Sequence, residues 1–105
     1  MGYDRLITAR RHMDDRRFRD AIAELKAVVE HEPESETEEA LELLALANFK
    51  AAYLPEAERL ARRLIQQKPT NAYAHTLLVR SLERQSRHEE ATRAKTLAVA
   101  LGADL

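Results

Sequence analysis

His88-Glu89-Glu90-Ala91-Thr92 is the stretch of the chain whose residue types begin a catalytic pattern. A zinc-binding helix of that kind needs a second histidine four residues after the first, so that both imidazoles share one face and one metal ion. Thr92 stands at that place, and the pattern ends with a single ligand. His12, His31 and His75 are scattered, and each is expected at a surface or packed position rather than as a ligand. Acidic neighbours such as Glu89-Glu90 fall in the first turn of a predicted helix, where the positive end of the helix dipole accounts for them. The only glycines are Gly2 and Gly102, so no glycine-rich phosphate loop exists, and the absence of cysteine removes thiolate chemistry and disulfides. The inventory argues against an enzyme and predicts no cofactor and no metal site. What remains for these residues is recognition.

Length and composition narrow the class. A chain of 105 residues holds one domain with a modest core. Alanine and leucine dominate, glycine and proline are scarce, and a third of the residues are charged, a balance suited to helices that each keep one solvated face. The formal net charge is −1, so no global basic field would draw nucleic acid or an anionic membrane. Met1-Gly2-Tyr3-Asp4-Arg5 lacks the apolar run of a signal peptide, Leu6 breaks the myristoylation pattern, and no stretch has the length of a membrane span. A cytoplasmic protein is expected.

Apolar spacing predicts six helices. The first runs from about Tyr3 to Asp14 with Tyr3, Leu6, Ile7, Arg10 and Met13 as its stripe, and Asp14-Asp15 stop it and supply a new N-cap. Phe18 opens the second, which buries Ala21, Leu25, Val28 and Val29 and ends at Glu32-Pro33. Glu34 to Glu39 reads as an acidic turn with a capping box at Ser35 and Glu38. The third helix presents Leu41, Leu44, Ala45 and Asn48 on one side. The fourth starts at Leu54-Pro55 and presents Ala57, Ala61, Leu64 and Ile65. Thr70-Asn71 caps the fifth, which turns Leu77, Leu78, Ser81 and Leu82 inward. Ser86 and Glu89 form a second capping box for the sixth, with Ala91, Ala94, Ala98 and Val99 inward and Gly102 as its left-handed C-cap.

Superposing the chain on itself pairs Ala21 with Ala57 and Ala91, and Val28-Val29 with Leu64-Ile65 and Ala98-Val99. Pro33 and Pro69 also match, 36 residues apart, and the third copy follows the second at 34. With A-L-x-x-L-A-x-x-N-F-x-x-x-Y-L-P-E-A-x-x-x-A-x-x-L-I-x-x-x-P-x-N from Ala40 to Asn71, the chain resembles the tetratricopeptide repeat family, whose period is about 34 residues. The resemblance implies an all-α solenoid: three helix-turn-helix hairpins over about 2–35, 38–71 and 72–105, six antiparallel helices in a right-handed superhelix. Arg5, Thr8 and His12 fall where the family prefers large or apolar residues, which implies a first helix rotated or shifted by one residue. Asn48 replaces a usual aromatic and needs a hydrogen-bond partner.

The family's first helices line a concave surface, so the resemblance implies a non-catalytic module that binds a protein or peptide segment there. Its lining would be Tyr3, Leu6, Arg10 and Met13, then Glu42, Leu46, Phe49 and Lys50, then Tyr73, Thr76, Arg80 and Arg84. An apolar strip flanked by guanidinium groups suits a segment with one or two apolar anchors and a nearby carboxylate. Leu46 and Phe49 serve equally well as packing between first helices, and Arg10, Arg80 and Arg84 as solvated groups or partners of Glu42 and Glu83. The family's clamp for the C-terminal carboxylate of heat-shock chaperones needs Lys and Asn where this chain holds Leu6, Arg10, Leu43, Tyr73 and Leu77, so that role is disfavoured. RNA-binding helical repeats share the period. The net charge and the acids at 34–39 argue against them, while Arg16, Arg17 and Arg19 form a local basic cluster. The alternative from another class is a self-association unit. At the chain's end Lys95 stands where Leu25 and Ala61 would meet a following hairpin, which predicts a monomer with a weak tendency to pair near Val99, Leu101 and Leu105.

Overall fold

Apolar residues recurring every three to four positions produce six helices in the computed structural model, which describes the backbone of residues 2–31 and 34–105 and the side chains of 4–31 and 37–105. They are α1 (Gly2–Asp14), α2 (Phe18–His31), α3 (Glu34–Lys50), α4 (Leu54–Gln67), α5 (Ala72–Arg84) and α6 (His88–Ala100), with no strand among the described residues. Each helix packs on the next in sequence. In addition α1 packs on α3 and α3 on α5, whereas α2, α4 and α6 approach one another only through side chains. The odd helices therefore form one layer and the even helices a second. Among the described residues no helix is long and apolar enough to cross a membrane.

The turns inside the pairs α1–α2, α3–α4 and α5–α6 share one geometry. Arg16, Ala52 and Ser86 adopt left-handed φ values of 60°, 65° and 60°. The N–H of the next residue reaches back to close the helix: Arg17 to the carbonyl of His12 at 2.7 Å, Tyr53 to Asn48 at 2.8 Å, Arg87 to Leu82 at 3.0 Å. Gly102, with φ 97°, closes α6 in the same way, Ala103 N–H donating to Ala98 O at 3.0 Å. These left-handed caps satisfy carbonyls that a helix end leaves open. Arg16 and Ser86 hold them without glycine's freedom, and so does Ala52.

Several expectations about helix starts are corrected. The acids at 34–39 belong to α3, not to a turn before it. Glutamate is a good helix former and its charge favours the first turns. Ser35 consequently lies inside α3, outside a capping position, and its side chain is outside the described residues, as are Glu32 and Pro33. Ser86 is the left-handed residue closing α5, and Arg87, without a side-chain cap bond, precedes α6; that capping box does not form. Asp15 is likewise not an N-cap: it lies within the turn closed by Arg16, three residues ahead of Phe18. Asn71 does cap α5, its Oδ1 accepting from Ala74 N–H at 3.1 Å.

The core runs between the layers. Leu25, Val28, Leu41, Ala45, Leu60, Ala61, Leu64 and Leu82 are buried. Asn48 is buried as well and finds its partner in its own helix, donating from Nδ2 to Leu44 O at 2.9 Å. In α1 the buried residues are Leu6 and Ala9, with Met13 packed against the core, while Ile7 and Arg10 face out. Ala9 matches Ala45 and Val79, all fully buried, whereas Leu6 is buried where its counterparts Glu42 and Thr76 are half-buried. Arg5 and Thr8 are exposed because no helix covers that face of α1 among the described residues, whereas their counterparts Leu41 and Leu44 lie under α2. Polar residues belong there. In α6, Ala91 and Ala98 are buried but Val99 is 49% exposed, against the expected inward position.

Candidate functional site

The helix layers leave one surface of α1, α3 and α5 turned away from their even-numbered partners; Leu6, expected to line it, is instead buried in the core, and Met13 packs against that core. Along α3, Glu42, Leu46 and Lys50 follow at intervals of four, one above another on the same side. Glu42 is half-buried; Leu46 and Phe49 are half-buried and packed against the core; Lys50 is exposed. On α5, Tyr73 is 41% exposed, and Arg80 and Arg84 are exposed. On α1, Arg10 is exposed and forms an ion pair with Glu39 rather than with Glu42, because Glu39 is the carboxylate its reach meets across the α1–α3 contact. The side chain of Tyr3 lies outside the described residues.

Two ends of this surface are held in place. At one, Asn71 does double duty: its Oδ1 caps α5 and its Nδ2 donates to Glu42 Oε1 at 3.1 Å. Partial burial, and then the charge of Glu42, push the Tyr73 hydroxyl above its ordinary pKa, so it remains a protonated donor at neutral pH. At the other end the Arg84 guanidinium lies 5.0 Å from the centre of the Phe49 ring, and its Nη1 donates to Phe49 O at 3.4 Å. Arg80 reaches Glu83, one turn along α5, at 3.3 Å, an exposed pair of small energetic weight. Thr76 spends its hydroxyl on Ala72 O at 2.9 Å.

Leu46 and Phe49 each pack against the core and keep some surface. The sequence named most of this face but missed Glu39 and the link from Asn71 to Glu42. The acidic stretch hid the first behind a turn assignment, and nothing in an N-cap residue announces a second bond. The opposite, even-helix surface carries its own features. Arg16 stacks on Phe18 at 5.9 Å and Arg19 on Tyr53 at 6.0 Å, and a recess between α2 and α4 is lined by Lys26, Asn48, Tyr53, Glu56 and Arg59.

His75 is 2% exposed and its Nε2 lies 2.8 Å from Pro69 O, a packed histidine. Among the described residues no three His, Asp or Glu side chains converge as metal ligands. No protein family, curated protein or solved structure matches the chain.

Proposed function

We propose that the chain is a tetratricopeptide-type α-solenoid of three hairpins and that it acts as a non-catalytic module binding a protein or peptide segment on the surface of α1, α3 and α5. Three features support the repeat reading. The left-handed residues Arg16, Ala52 and Ser86 are spaced by 36 and 34, as are the matched sequence positions, and each closes the same backbone hydrogen bond. Ala9, Ala45 and Val79, at matched positions, are all fully buried. Odd helices touch odd helices while even ones do not pack together, as hairpins stacked side by side require.

The observation that carries the binding role is the Phe49–Arg84 pair next to Leu46. A half-buried apolar patch lies on a solvent-facing surface with a guanidinium fixed over it, and Tyr73 stands in the open on the same surface. Aromatic and arginine side chains presented on rigid helices are the groups that dominate protein interfaces. An exposed tyrosine also offers contact area at low entropic cost. The self-association alternative draws less support. The outer face of α1 carries the exposed Arg5, Thr8 and Arg11, and that of α6 carries the exposed Thr92 and Lys95 beside the open Val99.

Replacing Tyr73 and Arg80 together by alanine tests the binding surface. The melting temperature is expected to stay nearly constant, since both side chains are exposed, while capture of the partner identified by pull-down with the unaltered chain falls. Undiminished capture would move the binding surface to the even helices, with the cluster at Arg16, Arg17 and Arg19 the first place to look.

A further inference from the structure

The binding surface is charged at two separate places, and the two charges are opposite. Glu42 is fixed by Asn71 through Oε1, which leaves Oε2 without a protein donor among the described residues, and Tyr73 stands beside it. Two turns further along α3 stand Lys50 and the Phe49 ring, with Arg84 of α5 laid over that ring. Neither Lys50 nor Arg84 meets a carboxylate among the described residues, while Arg10 and Arg80, nearby, are already paired with Glu39 and Glu83. Leu46 lies between the two charged places. Eight residues of helix separate Glu42 from Lys50, about 12 Å at the α-helical rise.

From this layout we infer that the surface selects a bipolar segment: a lysine or arginine at one end, an apolar side chain in the middle, and an aspartate or glutamate about 12 Å from the cation. An extended chain covers that distance in about four residues. The inference rests on the odd-helix face being the binding surface. The ligand's cation takes the free oxygen of Glu42 and the ring of Tyr73, a carboxylate and a π-face that both favour positive charge. Its apolar side chain covers Leu46 and the edge of Phe49. Its carboxylate reaches Lys50 and Arg84. Asn71 and Phe49 hold two of these charged groups before any ligand arrives, so less ordering is needed on binding. A segment carrying only acids would meet Glu42, and one carrying only bases would meet Lys50 and Arg84. Spacing of opposite charges, rather than net charge, sets the preference.

Two labelled, end-blocked pentapeptides of the same composition test this by fluorescence anisotropy. One has lysine first, leucine third and glutamate fifth, with alanine between; the other has lysine and glutamate adjacent. The spaced peptide is expected to bind about tenfold more tightly than its isomer, the scale of one charge-assisted contact. Glu42→Gln and Arg84→Gln are each expected to abolish that difference without lowering the melting temperature. Glu42→Lys is expected to transfer the preference to a peptide with glutamate at both ends. Equal binding of the two isomers, both weakened by Leu46→Ala, would overturn the bipolar inference and leave the surface in place. Binding indifferent to Leu46, Glu42 and Arg84 would overturn the surface as well. No binding of the spaced peptide at millimolar concentration would overturn the inference outright.

Discussion

Ala52 illustrates what a single residue contributes to this fold. It sits at φ 65°, a region where an L side chain is strained by roughly 1–2 kcal/mol, and it stays there because the N–H of Tyr53 must reach Asn48 O to close α3. Its side chain is exposed, so only the backbone matters. Ala52→Gly is therefore expected to raise stability by about 0.5–1 kcal/mol, the strain relieved less glycine's greater freedom when unfolded, read from the denaturant midpoint. Unchanged or reduced stability would show that the left-handed turn stores no strain. Gly102 was legible as such a cap because glycine announces it. Arg16, Ala52 and Ser86 were not, since tertiary closure of each helix pair imposes a conformation that the residue type does not favour. Asn48 was legible as a buried polar group in need of a partner. That the partner would be Leu44 O, one turn back in the same helix, was not, because helix geometry allows the bond without requiring it.

At the scale of elements, the contact of α4 with the α5–α6 turn rests on Glu58. Its side chain is 13% exposed and accepts from Gln85 Nε2 at 3.1 Å, from Arg62 Nε at 3.1 Å and from Arg87. Arg87 in turn pairs with Glu90 at 2.8 Å. Burial pushes the Glu58 carboxyl up, but the donated hydrogen bonds outweigh it and hold the pKa below the usual 4.5. Glu90 is lowered mainly by its bond from Arg87. Where the folded carboxyl is still ionised and the unfolded one is not, unfolding takes up protons, so stability must rise with pH. The contribution is complete above about pH 4.5 and is lost as pH falls through the depressed folded values. Thermal melts at stepped pH are expected to show a shallower decline below pH 4.5 for Glu58→Gln than for the unaltered chain; identical slopes would show that the network holds no linked proton. The elements themselves were legible from the period of their apolar residues. The start of α3 was not, because a run of glutamates suits a solvated turn and a helical first turn alike. The Glu58 network joins residues 27 and 29 positions apart, which no local pattern encodes.

The whole molecule presents two broad faces and two ends. Lys95 is exposed on the α6 end, where the matching Leu25 and Ala61 are buried under the next helix pair, and Val99 stands open nearby. Ala98 is fully buried, as its inward position predicts, whereas Val99, expected inward as well, is open. Lys95→Leu is expected to turn a monomer into a concentration-dependent dimer in sedimentation velocity, and a variant that remains monomeric at high concentration would show the end to be closed by other means. The stacking of helix pairs follows from repeated alanine and leucine positions and could be anticipated. The polarity of Arg5 and Thr8 made sense only once α1 was seen with that face uncovered. The central proposal is that partners bind on the odd-helix face, and photo-crosslinking tests it most directly. A photoreactive residue at position 46 or 80 is predicted to capture the bound partner, while the same residue at position 19 or 59, on the even helices, captures none. Capture from 19 or 59 with none from 46 or 80 would contradict the account.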